Sequence, residues 1–160
     1  MPADPIEYRI LTHLRDTLAA ITIGAGYHYD VLGTAVKLDP NQDVEMLIAP
    51  DGPRPFIVLE VKPEAWAYPE SFGGLRLVVP VTVHHVNASR PEKDESRLQT
   101  YLRGCADVEQ AIAVDPSRGG LAVDTTITRR TFEGATDGSQ VWALVDVTIV
   151  VRRQYGQPNG

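Results

Sequence analysis

Apolar positions recur along the chain with two different periods, and the switches between them predict the elements. From Pro5 to Ile23, the residues Ile6, Ile10, Leu14, Leu18 and Ile21 are spaced at helical intervals, with Arg9, Arg15 and Asp16 off the stripe, which predicts an amphipathic helix. Asp4-Pro5 supplies an N-cap and a first-turn proline, and Gly24-Ala25-Gly26 a stop. The period then becomes two: Tyr27, Tyr29 and Val31 share one face of an extended stretch. From Leu32 to Pro55 the breakers Gly33, Pro40, Gly52, Pro53 and Pro55 dominate, with weak strand signals at 34–38 and 44–49.

Phe56 to Val61 is a strand, and Leu75 to Val86 alternates, with Leu77, Val79, Val81 and Val83 on one face and Arg76, Thr82 and His84 on the other. Pro80 within that run predicts an edge or a bulge. A second helix runs over 96–114 with the stripe Leu98, Leu102, Cys105, Val108 and Ile112, started by a Ser96/Gln99 capping box. Asp115-Pro116 and Gly119-Gly120 end it. Two strands, 121–132 and 141–153, form a hairpin around GATDGS, and residues 154–160 are a polar, flexible tail. Helix, strands, helix, hairpin predicts an α+β two-layer sandwich: a mostly antiparallel, mixed sheet with two helices packed on one face.

The chain's 160 residues suffice for one domain with its own core, and no apolar run reaches the roughly 20 residues of a spanning helix. The start, MPADPIEYRI, carries no secretion signal, so residence in a cytosol is expected. Cys105 is the only cysteine, which rules out an internal disulfide, and its place on an apolar stripe makes it core. A net charge of −6 argues against a phosphate-neutralising groove. The imbalance is local. Positions 39–70 hold seven acids and two bases, whereas 116–160 hold five arginines and four acids. Such a chain can associate head to tail with its own copies.

Glu60-Val-Lys62 at the end of an apolar strand, with Asp43 upstream, matches the metal-ligand and lysine arrangement of restriction-endonuclease-like nucleases. Against that reading stand the acidic balance, Pro63 directly after Lys62, and the breakers around Asp43. His84-His85 cannot converge on one ion, because neighbouring strand residues face opposite ways. Gly24-Ala25-Gly26 ends a helix and therefore offers a phosphate the wrong dipole end. No serine lies in a nucleophile elbow. No catalytic residue, metal site or cofactor is expected. Trp66, Tyr68 and Phe72, three aromatics in a loop with two prolines and two glycines, are either tucked under the sheet or candidate partner anchors.

With these elements placed, the chain resembles the tail terminator proteins of long-tailed bacteriophages, the group typified by minor tail protein U. The resemblance lies in GAGYHYDV after the first helix, in VPVTVHHV, in RGCADVEQAIAVDPSRGGLAVDTTITR and in the closing VTIVVRRQYG. The third segment is the most specific: D-V-x-x-A-I on a helix, a D-P turn, G-G, then a strand opening in D-T. The acidic, proline-rich stretch 38–55 departs from the pattern. The resemblance implies one α/β domain over 1–153 that closes into a homo-oligomeric ring, a hexamer, on the finished tail tube. There it would stop tube polymerisation and present the surface that joins the head. Implied partners are other copies of itself, the tail tube protein and a head-tail connector or neck protein, with DNA passing through the ring without sequence-specific binding and no membrane involved. The implied location is the head-proximal end of the virion tail, after synthesis in the host cytoplasm. For the ring contact, the acidic 39–70 region can face the hairpin carrying Arg129, Arg130, Arg152 and Arg153, with at least one arginine of each pair pointing outward. A metal-dependent nuclease using Asp43, Glu60 and Lys62 and a head-completion or neck connector protein are the alternatives.

Overall fold

A computed structural model describes residues 4–62, 66–134, 138–154 and 156. In chain order it has α1 (Ile6–Ala19), β1 (Gly33–Lys37), β2 (Phe56–Val61), β3 (Trp66–Pro69), β4 (Gly74–Ala88), α2 (Arg97–Val114), β5 (Asp124–Gly134) and β6 (Gln140–Gln154). The strands form one mixed sheet in the order β1-β2-β4-β6-β5, with β3 pairing β4 beyond the end of β2. Among the described residues only β1 and β2 run parallel, and the other pairs are antiparallel. This is the α+β arrangement the periodicity predicts.

Packing rather than capping positions α1. Its N-cap is Pro5, not Asp4, and no side chain caps the first turn, a loss of about 1 kcal/mol. Ile6, Ile10, Leu14 and Leu18 are all buried, and each contributes about 1.5–3 kcal/mol, so the apolar stripe outweighs the missing cap. The helix stops at Ala19, earlier than Ile23, because Ile21 leaves the axis and its carbonyl accepts from the Val31 amide at 3.0 Å. Gly24 lies within a separate 3-10 turn, Ile23–Ala25, and Gly26 closes it at φ 93°.

α2 starts as expected: Ser96 accepts from the Gln99 amide at 3.1 Å and Gln99 reaches back to the Ser96 amide at 2.9 Å. Its buried stripe differs, however. Cys105, Val108, Ala111 and Ile112 are buried, but Leu98 and Leu102 are exposed. In their place the first turns bury Thr100 and Gly104, and Gly104 is obligatory because a Cβ there would lie 2.7 Å from the His85 ring. Both helices join one core with the inward residues of β4 and β6, Leu75 through Val83 and Ala143 through Val151.

Two expected strands are absent. Residues 27–31 form no strand; they are held by hydrogen bonds to α2 described below. The 44–49 segment forms a 3-10 turn at Val44–Leu47 that lays Ile48 against Val58 and Val86 on the sheet face opposite the helices. The aromatic loop contains β3. Pro80, expected at an edge or a bulge, lies in the long central strand β4. Its carbonyl accepts from the Lys62 amide at 3.0 Å, and the amide and carbonyl of one strand residue point the same way. Its missing N–H therefore faces Lys62, just past the end of β2, and costs only the return bond at that strand end. Pro63, residues 135–137 of the hairpin turn and most of the 154–160 tail lie outside the described residues; within that tail Gln154 ends β6.

Candidate assembly surface

The sheet face away from the helices is where the candidate residues gather. Strand alternation puts Leu75, Leu77, Val79, Val81 and Val83 against the helices and Arg76, Val78, Pro80, Thr82 and His84 on the other side. Register then builds a transverse row across five strands. Lys37 pairs with Glu60, Glu60 with Thr82, Thr82 with Asp146, and Asp146 with Arg129. The Thr82 hydroxyl donates to Asp146 at 2.7 Å.

Glu60 is the hub of this row. Lys37 Nζ lies 3.2 Å from it, Lys62 Nζ 3.8 Å and His84 Nε2 2.8 Å. Burial alone would raise its pKa, but hydrogen bonds from His84 and Lys37 and the charge of Lys62 prevail and lower it. His84 moves down as well, because burial outweighs the attraction of Glu60. Its Nε2 donates to the Glu60 carboxylate, and its buried Nδ1 has no partner among the described residues. Glu60 is thus a half-buried carboxylate shared among Lys37, Lys62 and His84. Asp43 stands at the N-cap position of the 3-10 turn without a side-chain cap bond, and it makes no hydrogen bond or ion pair with Glu60 or Lys62 among the described residues. A carboxylate whose lone pairs already face three donors has little left for a cation.

The arginine pairs divide between the faces. A β-bulge between Ile127 and Arg129 sets Arg129 opposite Asp146 and Arg130 opposite Val145. Without that extra residue, strict alternation from Ile127 would exchange the two arginines. Arg129 accordingly lies on the helix-free face, while Arg130 turns to the helix side, 3.6 Å from Glu109 of α2. On β6, Arg152 stands opposite Arg76 and 3.4 Å from Glu70; Arg153 stands opposite Leu75 on the helix side.

Trp66 and Tyr68 pair with Val78 and Arg76, so they share the face that carries Arg129 and Arg152. Both are exposed, and the Arg76 guanidinium lies 5.0 Å over the Tyr68 ring. Phe72 occupies the tip between β3 and β4 at φ 59°, ψ 35° with 102% exposure. A left-handed backbone under a fully solvated phenyl is unfavourable in an isolated subunit on two counts.

Sequence reasoning missed the buried polar residues, and these account for the most specific segment of the resemblance. Asp107 is fully buried; it accepts from the amides of His28 and Tyr29 and lies 2.7 Å from the His28 ring. The Tyr29 hydroxyl donates to Glu95, and burial together with that bond raises the Tyr29 pKa. Burial would raise Glu95, but hydrogen bonds from Tyr29 and Thr100 and the charge of Arg103 lower it. These contacts fasten 27–31 to α2. After α2, Arg118 is buried at φ 51° and donates to the carbonyls of Ile112 and Asp115, closing the helix end. The Asp115 carboxylate accepts from the amides of Ser117 and Gly119, and Thr125 donates to the Pro116 carbonyl at 2.7 Å. The run from D-V-x-x-A-I to D-T is a helix, its cap and the docked start of β5. No single residue type signals this, because a buried aspartate or arginine reads as surface in a sequence.

No family model matches the chain, and no curated protein does. Among solved structures, the virion of a native gene transfer agent particle contains a chain 12% identical to this one, with a TM-score of 0.46, the match covering 93% of this chain and 96% of that chain. A likeness of that degree carries no argument about function.

Proposed function

We propose that the protein is a structural component of a phage-type virion, a tail terminator that caps the tail tube as a homo-oligomeric ring and offers the surface for head joining. It is not an enzyme in this reading. The observation that carries the proposal is the placement of Trp66, Tyr68, Arg129 and Arg152 on one helix-free sheet face, with Phe72 projecting beyond it. Solvated aromatics beside arginines are the composition of interface anchors. The sequence resemblance supplies the specific role. The pairing of Glu60 with Lys37, Lys62 and His84 weighs against the nuclease alternative.

Co-sedimentation with purified tail tubes and, separately, with portal-bearing heads tests the assignment. The terminator reading predicts that the protein pellets with tubes and that tubes grown in its presence stop at a defined length. Pelleting with heads alone would turn the assignment to a neck or head-completion protein.

A further inference from the structure

The two ends of the sheet are chemically unlike. At the β6 start, a cleft of about 320 Å³ opens between the 45–54 segment and the β5–β6 hairpin, lined by Glu45, Ile48, Pro50 and Arg54 on one side and Glu133 and Trp142 on the other. Trp142 is held at two points: its indole N–H donates to Gln140 at 3.2 Å, and its ring meets His84 edge-on at 6.0 Å. Neither the Glu45 nor the Glu133 carboxylate makes a hydrogen bond or ion pair among the described residues, and both residues are exposed. The one cation in the wall, Arg54, is turned onto the carbonyls of its own turn, at 2.8 Å from Ala49 and 3.0 Å from Pro53. Two exposed carboxylates beside an indole form a site for a guanidinium, which can stack on the ring and fork onto a carboxylate.

The other end of β6 carries such a group. Arg152 is ten residues along the strand from Trp142, roughly 33 Å at strand rise, so it cannot reach the cleft of its own chain. Its side chain is 58% exposed and lies only 3.4 Å from the partly exposed Glu70, a contact that can be exchanged. Arg152 sits at the aromatic end, with Tyr68 two strands away through Arg76.

We propose that the Glu45–Glu133–Trp142 cleft of one copy receives Arg152 of the next, a head-to-tail contact between opposite sheet ends. Two unlike surfaces on one chain make a heterologous contact, the kind that closes a ring when the rotation permits. The inference rests on the ring reading for its setting, but the contact is tested without tubes.

Sedimentation velocity of the purified chain at low salt should show self-association that weakens as salt screens the pair. Arg152→Glu and Glu133→Arg should each weaken it by roughly tenfold or more, and the double variant carrying both should restore it, because each contact then regains opposite charges. In a Trp66→Phe background, arginine amide should perturb Trp142 fluorescence at millimolar concentration, the weak range expected of one side chain, and Glu45→Gln/Glu133→Gln should abolish the effect. Single variants that associate like the wild type, a double swap that restores nothing, a wild type that stays monomeric at low salt, or an indole indifferent to arginine amide would each overturn the proposal. Tubes left uncapped while the swap rescues self-association would instead count against the terminator role alone.

Discussion

His85 shows how tightly single residues are constrained. It faces α2 at Gly104, is fully buried, and its ring stays neutral because burial lowers its pKa from the usual 6.5 to about 4. The unfolded chain takes up a proton there below pH 6.5 while the folded one does not, so stability must fall as pH drops from about 6.5 to about 4. At most this amounts to about 3 kcal/mol. An NMR titration of the His85 ring should find it neutral until near pH 4, and titration between 6 and 7 would show the site to be solvated. Gly104→Ala drives a Cβ into the same ring and should cost about 1–3 kcal/mol in urea unfolding. Neither constraint was legible beforehand. The sequence places the two histidines on opposite faces, but which neighbour presses on each depends on α2 rotating Leu98 and Leu102 outward.

At the scale of elements, strand alternation was readable and register was not. Leu75 through Val83, the β2 apolar run and the capping box of α2 fell where period and cap chemistry put them. Alternation also turns one arginine of each pair outward, but which of Arg129 and Arg130 that is depends on one extra residue before Arg129, and nothing in TTITRRT marks the bulge. Arg129→Glu should therefore impair assembly more than Arg130→Glu, whose side chain contacts Glu109; tube length in a reconstituted tail system measures this. The aromatic arm gives a parallel expectation. Since Trp66, Tyr68 and Phe72 are exposed, changing all three to serine should lower stability by less than about 2 kcal/mol and leave the circular dichroism unchanged, yet abolish capping. Collapse of the fold in that variant would mean the arm is core.

The whole molecule combines a helix-covered side that holds the core with an open side that collects charge and aromatic surface. The sequence conveyed the layers, since they follow from apolar period, but not the row Lys37–Glu60–Thr82–Asp146–Arg129, since that needs four registers at once. The same row bears on the nuclease alternative. Incubated with plasmid DNA and magnesium or manganese, the protein should leave it intact, and cleavage lost on Glu60→Ala and Lys62→Ala would restore that alternative. Glu60→Ala should instead destabilise by about 1–3 kcal/mol by stranding Lys37 and His84. Electron microscopy of the purified protein mixed with tail tubes decides whether it forms a ring on the tube end. A single ring should sit on one end of each tube; protein scattered along tube walls, bound at neither end, or found only on heads would rule the ring out.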